Sequence, residues 1–439
     1  MLKHVIAVST VLLSLAGHAE TLPQRLDVAI DAVEPQVIEW RRAIHQNPEL
    51  GNEEHQTAAL IAAQLRRLKF DHVETGVAGT GVVGTLIGGK PGPVVALRAD
   101  MDALPVVEAT GLPFASTKKS FYQGKEVGVM HACGHDAHVA MLLGVAQVLA
   151  AVRDDLPGSV KFIFQPAEEG ADAESWGGRL MVEEGVLKGG NPPEAIFALH
   201  VGPMPSGTIN YAEGPMMAGA DMFDITVRGK QTHGAAPWGG VDPVIVAAES
   251  IVALQLIPSR HVDITKNPTV ITIGSIHGGN RGNIIPDSVV MQGTLRTFDM
   301  QDREDIVGRM HKTLDNIADT HGATAELIFD LNYPVTYNQP ALLESLLPVM
   351  RNAAGNDRVL KMAPLTGSED FSFFSQEIPG IYLFLGTAPS DPERRFMNHS
   401  PSFDIDESAL KVGVKTLAYM SYEYLEQNRK AVPDKNSGD

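Results

Sequence analysis

Val160-Lys161-Phe162-Ile163-Phe164-Gln165-Pro166-Ala167-Glu168-Glu169-Gly170 is a short apolar run that stops at a proline and hands two adjacent carboxylates to a glycine. A run of this length bounded by Pro and Gly reads as a buried strand, Val160 to Phe164. Gly81 to Ile87, Val94 to Arg98 and Ala195 to His200 have the same character. Helical patterns lie between them: Gln36 to Asn47 ahead of Pro48, Glu53 to Leu68, and His138 to Val152. The alternation from Pro23 to about Tyr211 is that of an α/β domain. Asp100 and Asp102 follow one strand, Glu168 and Glu169 follow another, and His200 ends a third. In an open α/β sheet the carboxyl ends of the strands are where a ligand site forms.

Beyond this domain the pattern changes. Strand Met222 to Val227, helix Pro243 to Leu256, strands Thr269 to His277 and Ser288 to Thr297, helix Asp302 to Thr320 and strand Thr324 to Leu331 give the order β-α-β-β-α-β. That order predicts an α+β ferredoxin-like domain inserted over 214–333. A helix over Pro340 to Ala354, a strand over Ile381 to Gly386 and a helix over Glu407 to Gln427 return the chain to the first domain. The catalytic domain is thus expected in two parts, 20–213 and 334–430, with a disordered polar tail at 431–439.

The start, Met1-Leu2-Lys3-His4, is followed by the apolar run Val5 to Ala16 and by Gly17-His18-Ala19. A basic start, an apolar core and a small-x-small site predict a signal peptide over 1–19, cleaved near Ala19, and a periplasmic or secreted protein. The run is shorter than the about 20 apolar residues a membrane span needs. No other segment is read as a span. The formal net charge of -18 over 439 residues excludes nucleic acid and anionic membranes as partners, since phosphate binding needs clustered Lys and Arg. One cysteine forms no internal disulfide, so stability falls to core packing.

That cysteine stands in His131-Ala132-Cys133-Gly134-His135-Asp136-Ala137-His138. A thiolate among imidazoles suits zinc and other borderline metals, and the glycine lets neighbouring side chains converge. Added to it are Glu168, Glu169, His200 and His399, the last in Met-Asn-His-Ser-Pro. An acid pair alone is usually a solvated surface, a lone His200 a core histidine and a lone His399 a loop residue; only the combination is specific. Adjacent carboxylates in extended backbone point opposite ways, so one can bind metal while the other faces a water.

These motifs, together with Arg41-Arg42-x-x-His45-x-x-Pro48-Glu49-Leu50, Leu97 to Pro105, His233-Gly234-Ala235-Ala236-Pro237, Asn283 to Asp287 and Gly367-Ser368-Glu369-Asp370-Phe371, resemble the co-catalytic metallopeptidases that include aminoacylases. The likeness is to their amidohydrolase branch, the hippurate hydrolases and the indole-acetyl-amino acid (auxin conjugate) hydrolases, and it runs nearly the whole mature length. It implies an aminopeptidase-like α/β/α catalytic domain whose inserted domain serves as lid and dimerisation module. It implies that Cys133, His135, Glu169, His200 and His399 hold two divalent ions per subunit, zinc, manganese, cobalt or nickel, with Cys133 as the bridge. Glu168 is then the general base for a metal-activated water, and Asp102 orients a ligand histidine. His233 would stabilise the oxyanion in the partner's site of a homodimer, and Asn283 would help bind substrate. Many relatives carry His-x-Asp where this chain has Asp100-x-Asp102, which leaves Asp100 without an assigned role. The motif at Arg41 to Leu50 and the pair Glu369-Asp370 are read as structural.

The activity expected is hydrolysis of the amide of an N-acyl amino acid or similar small amide. Dipeptidase or carboxypeptidase action in the same family is the nearest alternative. From a different class, a non-catalytic periplasmic metal- or ligand-binding protein has no use for Glu168 beside the metals.

Overall fold

Eight strands form one mixed sheet in the computed structural model, which describes residues 21–170 and 177–429. Their order is His72–Val77, Gly81–Ile87, Pro157–Gln165, Lys90–Asp100, Ala195–Pro205, Gly380–Ala388, Ile209–Tyr211 and Val359–Lys361. The middle four run parallel, and the carboxyl ends of three of them carry Asp100, Gln165 and His200 to one edge. Val95, Leu97, Phe162, Phe164, Ile196, Phe197 and Leu383 are fully buried, as strands covered on both faces require. Helices Leu22–Gln46, His135–Ala151 and Leu410–Gln427 pack on one face. Gly177–Glu183 and Phe371–Glu377 pack on the other through Met181, Phe371 and Phe374. The layering is α/β/α, as the sequence predicts. The expected signal peptide, 1–19, and tail, 431–439, lie outside the described residues.

The first helix starts at Leu22 rather than Gln36. Pro35 reads locally as a breaker, but Leu26, Ile30, Val33, Val37, Trp40 and Ile44 form an unbroken buried stripe through it. The start is fixed by a capping box between Thr21 and Gln24. Burial of the stripe outweighs the one backbone hydrogen bond that the proline removes.

In the inserted block, strands Val270–Gly278, Ser288–Thr297, Gly219–Arg228 and Thr324–Tyr333 form an antiparallel sheet in that order. Helices Pro243–His261 and Met300–Thr320 cover one face, burying Phe223, Ile225, Leu254, Met291 and Met310. The ferredoxin-like order is therefore present. Helix Pro243–His261 is long and apolar enough, by length and composition, to cross a bilayer, which corrects the reading that no segment after the signal is. It lies on the sheet through Val246, Ala247, Leu254 and Ile257.

Candidate metal centre

Cys133 reaches the carboxyl edge of the sheet because Gly134 takes a left-handed conformation, φ +93°, and starts helix His135–Ala151 at once. A Cβ on Gly134 would lie 2.2 Å from Val201 Cγ2, so the turn needs glycine on two counts. The second strand-end loop is held as tightly. Ala167 sits at φ +49°, a left-handed conformation that costs free energy for an alanine. Its N–H donates to Glu54 Oε1 at 2.9 Å, and Thr80 Oγ1 donates to Glu54 Oε2 at 2.5 Å. Glu54 is wholly buried. Gly51 presses on the same loop, where a Cβ would meet the Gly170 carbonyl oxygen at 2.4 Å.

Around these loops the five expected ligands converge. The ligand atoms of Cys133, Glu169 and His399 all lie within 4.8 Å of one another, as do those of His135, Glu168 and Glu169. Cys133 Sγ is 3.5 Å from His200 Nε2, and His399 Nε2 is 2.9 Å from Glu169 Oε1. Among the described residues, His135 Nε2 is buried with no hydrogen-bond partner, while Glu169 Oε1 has the His399 imidazole beside it. A buried polar atom left open, among soft and borderline donors, fits a divalent cation. Asp102 accepts from His135 Nδ1 at 3.1 Å and from the Glu169 N–H at 2.9 Å, so it orients the imidazole and leaves Nε2 facing the site.

Main-chain partners sort the remaining imidazoles. His200 Nδ1 donates to the Val201 carbonyl at 2.7 Å, which leaves Nε2 as a free lone pair toward Cys133. The Val201 N–H donates to His138 Nε2 at 2.8 Å, and His138 Nδ1 donates to Asp100. Although Asp100, His135, His138 and His200 cluster closely enough to hold an ion, His138 has no lone pair left for it. Asp100 thereby gains the role that its sequence position left open. It fixes His138 and accepts from Arg98 Nη1 at 2.6 Å.

Arg98 anchors a buried network behind Glu168. Its guanidinium donates to Gln165, Asp100, Glu369 and Asp370, and Tyr382 donates to Glu369 at 2.5 Å. Burial, followed by the charges of Glu369, Glu169 and Asp370, raises the Glu168 carboxyl well above its ordinary value. Hydrogen bonds to Cys133 and Glu169 lift His399 to about 10, while burial, with the neighbouring Glu169 charge, pushes the Cys133 thiol up. Burial lowers His200. The site draws in positive charge, and protons occupy places suited to metal.

A cavity of about 590 Å³ opens from this cluster toward the lid. Among the described residues Arg296 is the one Arg or Lys on its lining, and it donates to Ser368 Oγ at 3.1 Å. Tyr333, also on the lining, donates to the Glu168 carbonyl at 3.3 Å. His233 and Asn283 are not on the lining; they sit together on the lid, where the Gly234 N–H donates to the Asn283 carbonyl at 2.8 Å. Sequence reasoning did not find Glu54, Arg296, Ser368 or Tyr333 as site residues. Arg296 carried a faint signal, a cation alternating outward on a strand of apolar residues.

The sequence model of Peptidase family M20/M25/M40 matches residues 96–423. "Thermostable carboxypeptidase 2" of Saccharolobus solfataricus is 40% identical over 406 residues, 92% of this chain and 99% of the relative. "N-acetyl-L-cysteine deacetylase" of Bacillus subtilis is 39% identical over 386 residues, 87% of this chain and 86% of the relative. A solved structure of the Bacillus subtilis YXEP protein, described as a dinuclear metal binding peptidase from the M20 family, superposes with a TM-score of 0.75 at 34% identity, covering 90% of this chain and 99% of that one.

Proposed function

From the premise that the chain belongs to peptidase family M20/M25/M40 and is a metal-dependent hydrolase of amide bonds, we propose that it cleaves N-acyl amino acids to a carboxylic acid and a free amino acid. The observation that carries this reading is the make-up of the cavity lining. Glu168, Cys133, Glu169, His200 and His399 share it with Arg296 and Ser368, which offer donors suited to a substrate carboxylate.

The five donors would hold two divalent ions, which supply Lewis acidity to the attacking water and to the amide carbonyl. Glu168 takes the proton of that water and delivers it to the departing amine. Asp102 keeps the His135 lone pair turned to the site, and the Val201 carbonyl does the same for His200. Tyr333 holds the Glu168 backbone. His233 and Asn283 belong to the proposal as residues that a second subunit brings to the cavity, which makes the working form a homodimer. Export through the segment ending at Ala19 is proposed from the sequence pattern.

Carboxypeptidase action is the second reading, favoured by the 40% identity to a protein so named; Arg296 serves either substrate. The test is release of free amino acid from N-acyl amino acids, matched N-acyl amines without the carboxylate, and N-blocked dipeptides. Protein would be stripped of metal and reloaded with zinc, manganese, cobalt or nickel. Glu168→Gln should lower kcat by about 10²- to 10⁴-fold with metal content intact. Turnover by metal-free protein, or by Glu168→Gln at the normal rate, would sink the mechanism. Faster cleavage of dipeptides than of acyl amino acids would favour the second reading.

A further inference from the structure

We infer that Asn398 sets the donor strength of the Cys133 thiolate: its side-chain amide directs an N–H at the sulfur and so leaves the ions that Cys133 would hold more electron-poor. Asn398 is then a positioning residue for the hydrolysis, and its role rests on Cys133 being a metal ligand, as proposed above.

Asn398 is half-buried on the cavity lining, next in the chain to His399. Its Nδ2 lies 3.1 Å from the Cys133 carbonyl oxygen, 3.4 Å from the Val201 carbonyl oxygen and 3.6 Å from Cys133 Sγ. Carbonyl oxygens only accept, so the atom that faces them is the amide nitrogen and not its oxygen. Two N–H groups therefore meet three acceptors. The Val201 carbonyl already accepts from His200 Nδ1 at 2.7 Å, which leaves the carbonyl and the sulfur of Cys133 as the pair to be served. Once ionised, the sulfur is the stronger claimant, because a charged acceptor makes a hydrogen bond roughly twice as strong as a neutral one. His200 Nε2, 3.5 Å from the same sulfur, is of another kind: with Nδ1 protonated it offers a lone pair and is a fellow ligand.

The backbone keeps Asn398 on this aim. His399 sits at φ +71°, and its N–H donates to the Ala132 carbonyl at 2.7 Å. The segment is thus pinned to the residue before Cys133 and bonded, through Asn398, to Cys133 itself. A hydrogen bond to a thiolate draws electron density from it, which is one way that proteins tune metal–sulfur centres. With less charge donated by the sulfur, more positive charge remains to polarise an amide carbonyl.

Cobalt-loaded enzyme reports on the sulfur through its sulfur-to-cobalt charge-transfer absorption. Asn398→Leu keeps much of the side-chain shape without the donor. It should move that band to lower energy and, at saturating cobalt, lower kcat/KM for an N-acyl amino acid by about tenfold. Asn398→Met, whose unbranched stem adapts more easily, replaces it if the branched side chain prevents folding. In a variant that binds cobalt, an unmoved band or an unchanged kcat/KM would overturn the inference; an unmoved band with lowered stability would make Asn398 a clip for the His399 loop instead. Absence of the band from the cobalt-loaded wild type would remove Cys133 from the ligand set, and the inference with it.

Discussion

Two groups of buried charge lie side by side at the end of the same sheet, and they differ in what they leave undone. Around Arg98, each carboxylate oxygen of Asp100, Glu369 and Asp370 has a protein donor. Around Cys133, His135 Nε2 has none among the described residues, and Glu169 Oε1 is paired with the His399 imidazole at the rim. Cys133, His135 and His200 are as buried as the Arg98 network, although Glu169 is half-buried and His399 exposed, so burial alone does not separate a structural network from a binding site. Satisfaction does: a buried polar atom without a partner costs free energy that a ligand recovers.

The comparison breaks first at Arg98. Arg98→Met keeps the volume of the stem but strands three carboxylates, and should destabilise the protein by about 3 to 5 kcal/mol, read as a shift of the denaturant midpoint at unchanged slope. A loss under 1 kcal/mol would mean that the network is solvated and the contrast false. Loading metal should act in the opposite sense on the other group. At 100 times its dissociation constant, zinc or manganese should stabilise the metal-free protein by about 2.7 kcal/mol. Because His399 holds its proton up to about 10 and the Cys133 thiol is raised, loading near neutral pH should also release protons, measured by titration calorimetry in two buffers of different ionisation enthalpy. Binding without proton release would remove Cys133 and His399 from the ligand set.

Glu54 sharpens the contrast with an intermediate case, a carboxylate satisfied by two donors yet lifted from 4.5 to about 7 by burial and by the charge of Asp102. A raised acid keeps its proton in the folded chain while the unfolded chain loses it, so stability falls as pH rises from 4.5 toward 7. Glu54→Gln retains an acceptor for Ala167 and removes that cost. It should be more stable than the parent by about 2 kcal/mol above pH 7, with the gain gone below pH 4.5. An equal shift at both pH values in thermal melts would contradict it.

The convergence of Cys133, His135, Glu169, His200 and His399 was legible because a rare combination of residue types gathers around the Cys133 cluster and along the sheet, where chemistry and local pattern coincide. The α/β alternation and the β-α-β-β-α-β insertion were legible for the same reason, since each element carries its own period. Glu54, Arg98, Arg296 and Tyr333 were not, because what defines them is a partner distant in sequence: Glu54 acts on Ala167, and Arg98 on Glu369 and Asp370. The first helix was read short, from Gln36, because the buried stripe from Leu26 that carries it back through Pro35 is revealed only by the folded layer. The edge strands Ile209–Tyr211 and Val359–Lys361 are three residues each, too short to show an alternation.

The backbone of Val201 donates its N–H to His138 and accepts from His200 through its C=O. One main-chain unit therefore dictates which nitrogen of each ring carries the proton. Every residue type but proline carries the same N–H and C=O, so this instruction survives any other replacement at position 201 that keeps the shape beside Gly134. The protonation pattern of the two rings is inherited with the path of the backbone, and mutational drift in side chains can erase it only by first bending the strand.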